Sequence, residues 1–398
     1  MSKAMKKSNS VRKTTKDLKK LKIGDKGTKK GVGKNSAQTK GEQTLTLPKW
    51  DKSDSEDDGC INGQTELNSI RAQLEECFER KTNIPDKELQ IYNNTFCEIF
   101  QSLLPKIQRN TSRVRCLDPV YVGSSFDGLM VQPSINYEVQ IPISIVGRVV
   151  VEEVKPGFVA LRVPAVASGK ANEDRWIGWR SHDNYLSPVL ANRMFYKFVL
   201  QWASLRDLPG VSVNDYEPGK DVRILVGDNI TIVITPMIDL KRKENPYPLV
   251  AKPASYESDP ASEYFWRISC FERETTLLKI IEKADDGCRC RTLKILKALR
   301  HDDDALRHLT TYQMKTVLLH MCDGEIDKLK WQKHKIESCF AALIRELLNA
   351  VQQKRLNHFV LEDVNLLEHV PDHVLTSAEN RLKILCSREK ELARLLAK

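Results

Sequence analysis

The chain has 398 residues, 41% hydrophobic and 29% charged, which is the balance of a globular protein with room for two or three domains. Its net charge of +10 is uneven, because residues 1–50 carry 15 Lys/Arg against 3 Asp/Glu and the remainder sums to about −2. The first 30 residues lack an apolar stretch, Ser2 stands where myristoylation needs Gly, and no run of 18 apolar residues occurs, so neither a secretory leader, a lipid anchor of that kind nor a membrane span is expected.

Residues 1–58 are expected to form a disordered basic tail, with Lys6-Lys7, Lys19-Lys20 and Lys29-Lys30 among Ser, Thr and Gly and an acidic run from Asp51 to Asp58 closing it. Such an arm binds RNA, DNA or anionic lipid through counterion release, or acts as a nuclear address. The plainer reading is a solubilising leader. Ten cysteines without paired metal-type spacing suit a reducing compartment, so cytoplasm or nucleus is the expected location.

Residues 65–107 read as helix, from Leu67, Ile70, Leu74 and Cys77-Phe78, then Leu89, Tyr92, Phe96, Ile99-Phe100 and Leu103. Pro85 should kink or divide the two runs. A short strand, Val120 to Val122, enters Gly123-Ser124-Ser125, a turn that leaves N–H groups and a hydroxyl free for a phosphate. Ile135 to Ile143 alternates as a half-buried strand and places Asn136 and Glu138 on one face. Acids at both positions would share a divalent metal. Only one is an acid. The plainer reading is two strands joined by a turn.

Further β-rich runs are Ile141 to Val146, Val149 to Val151, Phe158 to Val163, Val222 to Val226 and Ile230 to Ile234. Pro188 to Leu205 reads as an amphipathic helix. Residues 245–262, with Pro246, Pro248, Pro253 and Pro260, read as the crossing between lobes. After it the pattern is helical over Ser269–Ala284, Arg289–Leu299, Thr311–Cys322, Lys335–Val351 and Ser377–Leu396.

Three clusters in this half carry pocket chemistry. Trp266-Arg267-Ile268-Ser269 with Glu274 reads as lying near a helix start; Lys294 and Lys297 are one turn apart; Thr311-Tyr312 opens a helix where a ring can stack on a base. Their plainer readings are surface ion pairs, solvated lysines and a core tyrosine.

The order and spacing of Gly123-Ser124, Tyr137-Glu138-Val139, Ile232 to Pro236, Trp266 to Ser269, Leu293 to Lys297 and Tyr312 to Thr316 resemble the male-abnormal-twenty-one (Mab-type) family, which includes cyclic GMP-AMP synthase and the cGAS-like receptors. The resemblance covers roughly residues 65–395. It implies an α+β, two-lobed nucleotidyltransferase fold, with a mixed-sheet lobe and long spine helix over 59–250, a helical C-terminal lobe over 251–398 and a nucleotide cleft between them. By the same resemblance Ser124, Arg267, Ser269, Glu274, Lys297 and Tyr312 fall on nucleotide-contacting positions. Of the family's three metal-binding acids, Glu138 alone is retained, while Asn136 and Val233 stand at the other two positions.

Two Mg²⁺ ions need several carboxylate oxygens, and one Glu beside an amide and a valine does not supply them. The expectation is therefore a catalytically degenerate protein that requires no metal and holds ATP, GTP or CTP as a scaffold or regulator. The alternative is an active cGAS-like receptor that joins ATP and GTP with Mg²⁺ or Mn²⁺ when it meets double-stranded RNA. The DNA-sensing synthase also carries a zinc site. Cys288 and Cys290 lie near its place, but without a nearby His they read as two reduced thiols.

Overall fold

In the computed structural model the described residues are 70–398, apart from 111–113, 132–134, 146–147, 165–175, 177, 182, 207, 241–245, 253–259 and 323–330. The expected tail, residues 1–58, lies outside them.

Helix α1 (Ile70–Cys77) runs into a π-helical turn, Phe78–Thr82, and Pro85 then separates it from the 25-residue α2 (Asp86–Asn110). The division expected at Pro85 is present. The two helices serve different cores. Leu74 and Cys77 of α1 pack with the C-terminal helices. Phe96, Phe100, Leu103 and Ile107 of α2 pack on the sheet.

Among the described residues nine strands form one mixed sheet. Its order is β1 (Val120–Val122), β2 (Ile135–Ile143), β7 (Ile230–Ile238), β8 (Leu249–Val250), β9 (Phe265–Ile268), β4 (Phe158–Arg162) and β3 (Val150–Lys155). A hairpin of β5 (Val211–Val213) and β6 (Val222–Val226) also pairs with β7. Among the described residues only β2 and β7 run parallel, with Glu138 opposite Val233 and Asn136 opposite Thr231.

An aromatic contact sets the register of β2. Tyr137 is fully buried, stacks on Phe96 with centroids 4.4 Å apart, and donates to Asn93 Oδ1 at 2.8 Å. With Ile135, Tyr137 and Val139 committed to the core, Asn136 and Glu138 share the opposite face. Helix α3 (Pro188–Ser204) begins at an Ser187 cap, packs against α2 and β7, and donates from Trp202 Nε1 to Ser102 Oγ at 3.0 Å.

The C-terminal helices are α4 (Phe271–Ala284), α5 (Cys288–Asp302), α6 (Thr311–Met321), α7 (Ile336–Gln352), α8 (Asp372–Ser387) and α9 (Glu389–Ala397). A capping box at Thr310 and Gln313 starts α6. The molecule is the expected α+β assembly of a mixed sheet and C-terminal helices.

Three local expectations are corrected. The helix expected from Ser269 starts at Phe271, and Trp266 to Ile268 just before it form strand β9, because Phe158–Ala160 of β4 and Leu249–Val250 of β8 flank and bond that segment. Leu249–Val250, expected in an irregular crossing, is a strand between β7 and β9. Ser377 to Leu396 is not one helix, since Arg388 adopts extended φ/ψ of −124°/97° and separates α8 from α9.

Trp266 is fully buried and its indole donates to the Leu186 carbonyl at 2.8 Å, tying β9 to the entry of α3. Trp266→Ala is expected to cost about 3–5 kcal/mol in urea denaturation, the range for deleting a buried large aromatic.

Candidate functional site

The segment after β1 holds the two cores together. Gly123 has φ +84°, and the amides of Phe126 and Asp127 both bond its carbonyl at 3.0 Å. Leu129 N–H closes the turn on the Ser124 carbonyl at 3.0 Å. Leu129 then enters the helical core, whereas its neighbour Met130 enters the sheet core. The internal bonds of this turn start at Phe126, so those of Ser124 and Ser125 are not used within it.

Helix α5 brings Lys297 to this turn. Its ammonium donates to Ser124 Oγ at 2.8 Å and to the Leu129 carbonyl. The side chain is only 5% exposed, and burial, then the charges of Lys294 and Lys315, push its pKa down to about 7. Two of the expected site residues, 173 positions apart, thus touch directly.

A second cluster joins α4 and α6. Tyr312 donates to Glu274 Oε1 at 2.6 Å, and Lys315 pairs with Glu274 Oε2 at 2.7 Å. Lys315 also lies 3.7 Å from Asp127 Oδ2, and Thr275 donates to Asp127 Oδ1 at 2.6 Å. Burial raises the Asp127 pKa against the opposing effects of Lys315 and Thr275. Asp127, the acid in the turn, is therefore bound to the helical lobe and is not on the strand face of Glu138.

His358 completes the cluster. Its Nδ1 accepts from the amides of Val360 at 3.0 Å and Leu361 at 3.2 Å, which puts the proton of the neutral ring on Nε2, 2.8 Å from the Tyr312 oxygen. Burial lowers the His358 pKa and favours that neutral form. Tyr312 keeps its proton firmly, because burial and then the Glu274 charge raise its pKa.

The sheet supplies the facing wall. Glu138 lies beside the Gly123 turn, so near that a Cβ on Gly123 would sit 2.8 Å from Glu138 Oε1. The Ser125 hydroxyl donates to the Asn136 carbonyl, and the Asn136 side chain is exposed. Val233 is buried directly across from Glu138. Lys252 Nζ lies 3.3 Å from Glu138 Oε2 and 3.7 Å from Asp221 Oδ1.

Arg267 interacts electrostatically with Asp221 and Tyr312 and lies over the Phe158 ring at 5.3 Å. It is solvent-exposed, yet enough protein surrounds it for desolvation to lower its pKa, as expected of a side chain lining a cleft. Ser269, beyond β9, is half-buried and its amide bonds the Pro248 carbonyl at 2.8 Å.

Apart from Ser269, the expected residues lie along one chain of contacts. Ser124 and Lys297 meet; Glu274 and Tyr312 meet; Glu138 joins them beside Gly123, and Arg267 links Tyr312 to Asp221. Sequence reasoning missed Asp221, Lys252, Lys315 and His358. Lys315 carried a signal, a lone cation three residues past Tyr312 in an apolar helix; the other three carried none.

A family model described as Mab-21 protein HhH/H2TH-like domain matches residues 288–383, from α5 into α8. Mitochondrial dynamics protein MID51 of Danio rerio is 23% identical over 315 residues, covering 75% of this chain and 65% of that protein. Protein male abnormal 21 of Caenorhabditis elegans is 24% identical over 311 residues, covering 69% and 83%. These similarities support a relationship to the Mab-21, nucleotidyltransferase-fold family. A Cyclic GMP-AMP synthase-like receptor of Trichogramma pretiosum is 30% identical over 145 residues, covering 36% of this chain and 29% of the receptor. The chain thus spans 65% and 29% of the lengths of MID51 and that receptor. Among its described residues, no helix is long and apolar enough to cross a membrane.

Two predictions follow from the turn. Gly123→Ala adds strain at a positive φ and pushes on Glu138, so a loss of about 1–3 kcal/mol is expected in chemical denaturation. Lys297 binds its proton more weakly folded, with pKa about 7, than unfolded, with pKa about 10.4. Between those values the unfolded chain holds more protons, so stability contributed by this residue rises with pH. Relative to Lys297→Met, the wild-type melting temperature should rise from pH 7 to pH 9; a parallel pair of curves would contradict this.

Proposed function

We propose that this protein binds a nucleoside di- or triphosphate in the cleft between its sheet and its C-terminal helices, and acts through that bound state as a scaffold or regulator without turning the nucleotide over. The observation that carries the reading is the pair Lys297–Ser124, a buried ammonium donating 2.8 Å to a hydroxyl at a turn whose first amides are free of internal bonds. A desolvated lysine beside a serine turn is a poor place for a lone cation and a good one for a phosphate oxygen. Tyr312 has a partly exposed ring whose hydroxyl is anchored by Glu274, so it can present a fixed face to a base. Arg267 interacts electrostatically with Tyr312 and Asp221 beside it.

The metal that the fold implies does not fit these residues. Asn136 and Val233 offer no charge, and the single acid Glu138 is already paired with Lys252. Two divalent ions need more carboxylate oxygen than this, and no step of phosphoryl transfer is drawn through them. The chain's own groups bind and orient. Lys297 and Ser124 hold phosphate oxygens, Arg267 supplies a planar donor set, and the Glu274–Tyr312–His358 network keeps the stacking ring in place.

The charge of the spine helix bears on the alternative, an RNA-triggered synthase. Along α2, Asp86, Glu88 and Glu98 balance Lys87, Lys106 and Arg109, and exposed Ile91 interrupts the outer face. A duplex would meet no basic stripe there. Contact with nucleic acid or another anionic partner is assigned instead to the basic residues 1–50.

Two measurements test the reading. ATP, GTP or CTP at millimolar concentration should raise the melting temperature, and Lys297→Ala or Tyr312→Ala should abolish the rise. Because a phosphate favours protonated Lys297, binding takes up a proton, and affinity should weaken as pH rises above about 7. No shift with any nucleotide would leave the cleft a purely structural role. Incubation of the full chain with all four nucleotides, Mg²⁺ or Mn²⁺ and double-stranded RNA or DNA, followed by mass spectrometry, should give no dinucleotide. A product would establish the synthase.

A further inference from the structure

We infer that Lys252 is the resident cation of this cleft: its ammonium takes the place beside Glu138 where a divalent ion would sit, so that protein cations alone meet the phosphates of a metal-free nucleotide. The inference rests on the nucleotide reading for its ligand and on separate geometry for its cation.

Nζ of Lys252 lies between two carboxylates, 3.3 Å from Glu138 Oε2 and 3.7 Å from Asp221 Oδ1. Both distances are those of an ion pair, and the three side chains are only 20–35% exposed. Its backbone is held from two sides. The Ala251 carbonyl accepts from Asn192 Nδ2 at 2.6 Å in a buried bond, and the Ala251 amide donates to the Pro236 carbonyl at 2.9 Å. Strand β7, which carries Val233 and Pro236, and helix α3, which carries Asn192, thereby fix where the lysine emerges.

The charges explain why a metal would not share the place. A divalent ion at Glu138 would meet an ammonium already bonded to the same carboxylate, with Arg223 a further cation 4.0 Å from Asp221. Asn136 and Val233 contribute no compensating negative charge. Arg267 also interacts with Asp221, so Lys252, Arg267 and Lys297 reach the cleft from three separate elements.

Their chemistry differs from that of a metal pair in a definite way. An ammonium attracts phosphate oxygens as a point charge, but it does not bridge attacking and leaving oxygens or generate a strong nucleophile from a hydroxyl. A site built on it holds a nucleoside di- or triphosphate and does not consume it. The same residue then determines both metal independence and lack of turnover.

The test uses the full chain and Mn²⁺ alone, followed by electron paramagnetic resonance. The wild-type chain should leave the free Mn²⁺ signal unchanged. Lys252→Met should capture a single Mn²⁺ between Glu138 and Asp221, and adding Glu138→Gln should abolish the capture; Lys252→Gln is a second, polar route to the same result. Wild-type protein that binds Mn²⁺ stoichiometrically and loses it on Glu138→Gln would overturn the inference, as would folded Lys252 variants that bind none.

A second arm separates this idea from the nucleotide reading. The thermal shift given by ATP should be the same in EDTA as in Mg²⁺ for the wild-type chain and should become Mg²⁺-dependent in Lys252→Met. A wild-type shift that requires Mg²⁺ overturns the resident cation but leaves nucleotide binding intact. No shift in either condition removes the nucleotide reading, and the Mn²⁺ result then decides the cation site by itself.

Discussion

The buried ammonium of Lys297 on Ser124 and the Leu129 carbonyl is the contact on which the arrangement of this protein depends. One short turn, residues 123–130, has to satisfy two cores: Leu129 packs among the C-terminal helices and Met130 among the sheet residues. Lys297 reaches it from α5, and Asp127 anchors it to α4 and α6 through Thr275 and Lys315. Removing a lysine from water costs several kcal/mol unless its charge is well met. Here it meets a hydroxyl and a carbonyl rather than a carboxylate. That is an incomplete solution, and an incoming phosphate would complete it.

Around this turn acids and cations of the cleft face one another in pairs. Glu138 and Asp221 face Lys252, Arg223 and Arg267, while Glu274 and Asp127 face Lys315. The partly exposed pairs each stabilise the fold by about 0–1 kcal/mol. Their value lies in position: each fixes a long side chain whose free rotation would cost a ligand entropy on binding. The Glu274–Tyr312–His358 network does the same for an aromatic ring. Its Glu274 and His358 are buried and both bond the Tyr312 hydroxyl, which makes it rigid.

Much of the sheet was legible because period-two patterning is a strong constraint. Ile135 to Ile143 and Val222 to Val226 occupy the spans read from the sequence. Helix α3 ends one residue short of its expected limit. Short strands between better-defined ones were not legible. Phe265–Ile268 holds four residues and Leu249–Val250 two, too few for any period, and each is a strand only because neighbours bond it on both sides. The break at Arg388 was invisible for a related reason: neither Pro nor Gly marks it, and the apolar stripe continues into α9.

The sequence by itself determined which residues of β2 share a face, and so which could stand at an acid position. Alternation puts Tyr137 and Glu138 on opposite faces, and the identities Asn136 and Val233 are simply read. Tertiary structure alone decided what those residues meet. Lys252 comes to Glu138 across 114 positions and Lys297 to Ser124 across 173, and nothing local to either lysine names its partner. The reason is physical. Pattern records which side of an element is buried, whereas an ion pair depends on where two elements, each fixed by its own core contacts, leave their side chains in space.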